Sequence, residues 1–274
     1  MAAAYGPLGS PGRGRLAAYL TLAAALSLGL AACNGGNATQ PLHVEISHVV
    51  GEQPLQLGSD YALADGDHLS IDKLRYYLSN FRLRRHDGSW SAGERSERDA
   101  RAYFLVDESQ PGSKTLSVDG FAAGDYEGLE FLIGVDAARN AAGAQTGALD
   151  PEHGMFWTWN TGYIFFKLEG HSPQSTATGH SLSYHIGGSR EPANNARTVY
   201  LPLGTKPLKL AAELTSTVHL HADIAALFQS PSQSPDALSI AEHANIMDPA
   251  GGKLVADRYA ELFRVDHVHH EPRH

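Results

Sequence analysis

The sequence predicts an all-β chain: an antiparallel β-sandwich-like single domain with long loops and a few short helices. Three observations carry that prediction. Short segments alternate apolar and polar residues, clusters of Gly, Pro, Asn, Asp and Ser separate them, and long helical periodicity is scarce. No low-complexity linker divides residues 42–270, so one domain is expected over that span.

The first thirty-odd residues read differently. Arg13 and Arg15 form a positive region, Leu16 to Leu30 is apolar and rich in Ala and Leu, and Leu30-Ala31-Ala32-Cys33 ends it with small residues before a cysteine. That ending resembles the lipobox cut by bacterial lipoprotein signal peptidase. The apolar run falls short of the ~20 residues a membrane-spanning helix needs, and Ser27 and Gly29 interrupt it. The expectation is a signal peptide over 1–32, a lipid on Cys33 that anchors the protein to a membrane, and a flexible tether over 33–41. Cys33 is the chain's one cysteine, so no internal disulfide can form. Asn34 follows it, not the Asp associated with inner-membrane retention, which favours the periplasmic face of the outer membrane or the cell surface.

Along the domain, His43 to Val50 alternates His43, Glu45 and Ser47 against Val44, Ile46 and His48, a first strand with one histidine on its apolar face. Leu69 to Leu83 reads as a short helix leading into a strand. Ala102 to Asp107 and Leu129 to Val135 are strand-like. Gly134 to Gly154 is the main loop, and its Asp136, Asn140, Asp150 and Glu152 fit no EF-hand spacing, so it is read as a solvated loop that shapes the entrance to the next segment. Thr217 to Phe228 begins as a strand and ends in one helical turn, and Lys253 to Phe263 has the spacing of a helix.

Charge and composition narrow the function. Removing residues 1–32 takes two of the 21 basic residues and none of the 30 acids, so the net charge moves from −9 to −11. An acidic surface argues against nucleic acid as a partner. All 15 histidines lie after the signal peptide. Imidazole is the commonest protein ligand for transition metals, so this composition points toward metal binding.

Residues 153–170 are the most informative segment: an aromatic strand, an Asn-Thr-Gly turn and a second aromatic strand. If Met155 to Trp159 is extended, Trp157 and Trp159 share one face. A hydrophobic core explains such a pair as readily as a site does.

The segments Gly-Met-Phe-Trp-Thr-Trp-Asn-Thr-Gly-Tyr at 154–163, Lys167-Leu168-Glu169-Gly170, Gly134-Val135-Asp136, Tyr76-Tyr77-Leu78-Ser79-Asn80 and Tyr184-His185-Ile186-Gly187-Gly188 together resemble the MbnP-like family. The family is named for a member of methanobactin operons and is related to copper-repressible surface proteins of methane-oxidising bacteria. The resemblance runs from about His43 to His267. It implies copper binding on an all-β domain and a partner di-haem cytochrome c peroxidase-like (MbnH-like) enzyme that oxidises a tryptophan to kynurenine. Indole has no free nitrogen lone pair for a metal, whereas kynurenine carries an aryl amine and a ketone, so the oxidation creates a ligand. The modified residue would be Trp157 or Trp159; Trp90 lies in a polar run and is the poorer candidate.

The copper-ligating candidates are His48, His219, His221 and His185. His219-Leu220-His221 places two imidazoles on one strand face at i and i+2, a spacing that can chelate one metal, or simply form a solvated face. His48 is a lone histidine on an apolar face, and His185 sits before Gly187-Gly188 as ligand or as hydrogen-bonding scaffold. His153 lies close to the tryptophans, and His267, His269 and His270 crowd the C-terminus as a histidine tail. Two alternatives compete with a non-enzymatic copper protein. One is a structural or adhesive surface domain with no metal site. The other is a hydrolase using Ser183, His185 and Asp223, although neither Gly-x-Ser-x-Gly nor His-Glu-x-x-His occurs.

Overall fold

Alternating burial builds the first strand. In the computed structural model, which describes residues 39–93, 100–157, 159, 162–229 and 238–273, Thr39–Val50 forms β1. Leu42, Val44, Ile46 and His48 are buried while Glu45 and Ser47 are exposed, as a pleat with one face on a core requires. The strand begins at Thr39, so residues 39–41 belong to it and not to a tether. Residues 1–32 and Cys33 lie outside the described residues.

His68–Arg84 forms one 17-residue strand, β2, where a helix leading into a strand was expected. The cause is legible in hindsight. Leu69 and Ile71, then Leu74, Tyr76 and Leu78, then Phe81 and Leu83 all enter the main core, and the parity of the inward residues changes twice. Each change falls at a register shift of the ladder, beside Ile71–Lys73 and across Ser79–Arg82, where Asn80 has φ 53°. Such bulges insert three-residue steps into a two-residue period and so imitate a helical pattern.

The other main strands are β3 (Phe104–Asp107), β4 (Thr115–Ala122), β5 (Gly128–Ile133), β6 (Phe156–Trp157), β7 (Gly162–His171), β8 (Ser181–Gly187), β9 (Arg197–Pro202), β10 (Leu214–Asp223) and β11 (Phe263–Pro272). The two α-helices among the described residues are short: α1 (Ala137–Ala141) and α2 (Lys253–Tyr259). As expected, β10 runs into a helical turn, of 3-10 type, at Ile224–Leu227. The C-terminal helix stops at Tyr259, and the histidines expected to form a tail, His267, His269 and His270, lie within β11.

Among the described residues, one sheet has five strands in the order β11, β10, β1 and Gln53–Pro54, with β4 also paired to β1. The other has ten, running β9, β5, β2, β7, β8 and Asn245–Ile246, with shorter strands along β2 and β6 on β7. Pairing is mostly antiparallel, as expected, with two parallel pairs among the described residues, β1 with β10 and β8 with Asn245–Ile246. The main core draws Val44, Ile46, Val218 and Leu220 from the first sheet and Tyr76, Phe166, Leu168 and Tyr184 from the second, the arrangement of a β-sandwich-like domain. A second, smaller core contains Tyr77, Tyr103, Val135, Leu149, Met155, Trp157, Tyr163, Ile164 and Phe165. It forms where residues 134–154 cover the aromatic strands of the larger sheet.

Candidate functional site

The smaller core fixes the tryptophan hairpin. Phe156 and Trp157 pair with Tyr163 and Gly162. Trp157 is 4% exposed and Trp159 is 64% exposed, with ring centroids 5.5 Å apart and planes at 42°. One indole is therefore packed, and the other leans over it at the surface. Thr158, Asn160 and Thr161 lie outside the described residues.

Trp157 rests on backbone. A Cβ at Gly187 would come within 2.2 Å of the Tyr163 carbonyl oxygen and 2.9 Å of the Trp157 ring, so glycine is what lets the six-membered edge of the indole approach β8. The Trp157 Nε1–H is buried and has no hydrogen-bond partner among the described residues. A cleft of about 190 Å³ opens beside it, lined by Asn140, Gly162, Gly188, Ser189 and Arg190 among others.

The covering loop is pinned by its own polar residues. Asp136 caps α1 through the Arg139 N–H and accepts a short hydrogen bond from the Tyr103 hydroxyl. Asn140 accepts from the Tyr163 N–H at 2.7 Å and donates to Ser189 Oγ at 2.9 Å, tying the loop to both walls of the cleft. The Tyr163 hydroxyl donates to the Leu149 carbonyl at 2.8 Å, and Asp150 caps the turn at Pro151–His153. Asp136 and Asp150, expected to line a solvated loop, thus serve as caps, and Asn140 serves as a staple. His153 uses Nε2 to donate to the Gly147 carbonyl at 3.0 Å.

The four candidate ligands do not converge. His48 is buried, with Nδ1 2.5 Å from Glu108 Oε2 and Nε2 2.7 Å from the Tyr76 hydroxyl. A carboxylate only accepts, so Nδ1 carries the proton and Nε2 accepts from Tyr76; both nitrogens are engaged. His219 and His221 lie on the outer face of β10, with side chains 26% and 29% exposed. His185 is on β8 in the other sheet, with Nε2 2.8 Å from Glu169 Oε1. Among the described residues no group of three or more His, Cys, Asp or Glu side chains is arranged around one metal position.

His185 is the candidate on the strand that Trp157 packs against. It precedes Gly187 by two residues, on the same strand face, and Gly187 is what Trp157 rests on. Its Nδ1 has no protein partner among the described residues, while Glu169 holds Nε2. Glu169 also meets Lys73 at 2.6 Å and Lys167 at 3.4 Å. Burial raises the Glu169 pKa, but the hydrogen bonds from Lys73 and His185 and the two lysine charges outweigh it and hold the carboxyl at about 2. Burial and Lys167 lower the pKa of His185, which favours the neutral imidazole a metal needs. No triad forms at Ser183, His185 and Asp223, since Asp223 instead accepts from the Gly51 and Ala225 N–H groups. Trp90 lies under the Arg82 guanidinium, 4.3 Å from its ring centroid, away from the hairpin.

Fold and site together define an all-β scaffold with a surface-reaching tryptophan pair on the outside of its larger sheet. The MbnP family model matches residues 39–248, and the chain belongs to the MbnP family; in that sense it is methanobactin-related. Among solved structures it is similar to MbnP from Methylosinus trichosporium, with 17% identity, a TM-score of 0.50, and coverage of 86% of this chain and 100% of that one. At that identity the likeness establishes the shared fold alone. No curated protein matches the chain. What sequence reasoning missed at the site is the role of Asn140, read there only as part of a solvated loop, as the staple between loop and hairpin; no local spacing signals that contact.

Proposed function

We propose that this protein is a non-enzymatic copper-binding protein of the cell envelope, anchored by a lipid on Cys33, and the substrate of a partner di-haem cytochrome c peroxidase-like enzyme. One observation carries the reading: a packed indole and an exposed indole in contact, the packed ring lying against Gly187 of β8, two residues from a histidine with a free ring nitrogen. Trp159 gives a partner surface direct access, and Trp157 lies one ring behind it. Two equivalents of peroxide, reduced to water by the partner's haem chemistry, add two oxygen atoms to the indole to give N-formylkynurenine. Hydrolysis then releases formate and leaves the aryl amine and ketone of kynurenine.

The intact residues do not form a closed copper site. The fit is to the processed protein, in which a new aryl amine joins the neutral imidazole of His185, a nitrogen pair that suits Cu(I). His48, with both nitrogens occupied, serves the scaffold. The role of the copper-loaded protein is uptake, storage or redox sensing.

The test is peptide mapping of the protein from its native host. Conversion of one tryptophan within residues 154–163 to kynurenine adds about 4 Da, and the processed protein should bind copper stoichiometrically while the unprocessed protein does not. Intact tryptophans in the presence of the expressed partner enzyme would return the hairpin to a purely structural role.

A further inference from the structure

The main core holds a polar chain that the tryptophan hairpin does not use. Tyr76 of β2 is buried, and its hydroxyl donates to His48 Nε2 at 2.7 Å. His48 in turn donates Nδ1–H to Glu108 Oε2 at 2.5 Å, and Lys114 Nζ lies 3.0 Å from both Glu108 carboxylate oxygens. Other phenols end differently. Tyr61, Tyr77, Tyr126, Tyr163 and Tyr259 donate to backbone carbonyls, which take up no proton at ordinary pH, and Tyr103 donates to the carboxylate of Asp136. Among the described residues, Tyr76 alone offers its hydroxyl to an imidazole, a stronger base than a carboxylate. Its ring is walled by Phe166, stacked at 6.1 Å, and by Phe263, edge-on at 5.7 Å.

We propose that Tyr76 is a redox-active tyrosine: a strong one-electron oxidant at the protein surface, such as a high-valent haem, draws one electron from its ring while the hydroxyl proton moves to His48 Nε2. The Tyr76 O–H bond breaks, an N–H bond forms on His48, and the oxidant is reduced by one electron, which leaves a neutral phenoxyl radical beside an imidazolium. Return of an electron reverses both transfers. The acceptor is essential, because a phenol that loses an electron becomes a strong acid and must release its proton to a neighbouring base. Burial, reinforced by the Glu108 charge, holds Tyr76 in its protonated form until then. The imidazolium forms 2.5 Å from a carboxylate already in place, in a low-dielectric setting that strengthens their attraction. The packed tryptophan lacks such an arrangement: the buried Trp157 Nε1–H has no partner among the described residues, so an indole oxidised there keeps its proton. Tyr77, next to Tyr76 on β2, meets Tyr163 edge-on at 6.0 Å in the core that contains Trp157, which places aromatic rings between the hairpin and Tyr76. The Tyr76–His48 pair thus stores one oxidising equivalent in the core. It requires neither copper nor kynurenine and stands independently of the function proposed above.

The experiment is flash photolysis of the unprocessed protein with a ruthenium tris-bipyridyl oxidant and a sacrificial electron acceptor, read by electron paramagnetic resonance. A long-lived tyrosyl signal should form, narrow on ring deuteration of tyrosine, and form more slowly in heavy water. Tyr76→Phe should lower its yield about tenfold, whereas Tyr184→Phe, which removes a buried hydroxyl with no partner among the described residues, should leave it unchanged. His48→Gln keeps an acceptor for Tyr76 and a donor for Glu108 but offers no base, so it should also lower the yield about tenfold while circular dichroism shows a folded protein. If the glutamine variant does not fold, Tyr76→Phe and the heavy-water measurement decide. Absence of a long-lived tyrosyl signal in the parent, equal yield in Tyr76→Phe, or parental yield in a folded His48→Gln protein overturns the proposal.

Discussion

His48→Ala separates scaffold from ligand on this domain. The side chain is 4% exposed and bridges Glu108 at 2.5 Å and the Tyr76 hydroxyl at 2.7 Å. Truncation removes one charge-assisted hydrogen bond, worth about 1.5–3 kcal/mol, and one neutral bond, worth about 0.5–1.5 kcal/mol, and leaves the buried Tyr76 hydroxyl without its acceptor. The total is on the order of 4 kcal/mol, which for a domain of this size lowers Tm by about 8–16 °C. Thermal and urea unfolding measure it, with a copper titration of the processed protein run alongside. Burial raises the Glu108 pKa, but its bonds from His48 and Lys114 outweigh this and keep it below the ordinary value of 4.5. A depressed carboxylate contributes stability above its unfolded pKa and loses it on acidification, so the gap between parent and variant should narrow below pH 4.5. A variant that melts within about 1 kcal/mol of the parent yet loses copper would refute the assignment of His48 to the scaffold.

Two further outcomes test the geometry. Gly187→Ala should destabilise the domain by about 2–3 kcal/mol and shift the tryptophan fluorescence, because its Cβ would meet the Tyr163 carbonyl at 2.2 Å and the Trp157 ring at 2.9 Å. Unchanged melting and emission would mean that Trp157 does not lie on β8. The Glu169 carboxyl, held at about 2 against an ordinary 4.5, contributes stability that is complete above pH 4.5 and is lost as pH falls toward 2. Acid titration followed by circular dichroism should show that loss, and Glu169→Gln should flatten it.

The sequence exposed the strands with regular alternation and hid those with bulges. His43 to His48 has an unbroken two-residue period and reads correctly as part of β1, down to His48 on its apolar face. β2 does not, because two parity changes turn its inward residues into three-residue steps. The histidines of β11 resembled a tail because polar residues outnumber apolar ones there; only Val268 of the strand's second half is buried, and pairing with β10 is what holds it. The tryptophan pair was visible as a local motif, whereas its division into one packed and one exposed ring depends on the distant Gly187 and Asn140. For the same reason the ligand candidates could be named singly from sequence but not assembled. Which histidines share a face is decided by the sheet to which each strand belongs.

The parallel ladder between β1 and β10 sets the order of assembly. His43 faces Thr217 and Val49 faces Asp223, so the first strand made by the ribosome finds this neighbour only after most of the chain has followed it. A growing or threaded chain cannot close the smaller sheet early, and its first strand keeps one backbone edge open until the last quarter emerges. The stacked pair His219 and His267 comes into being only at that final closure, so its formation marks a finished sheet.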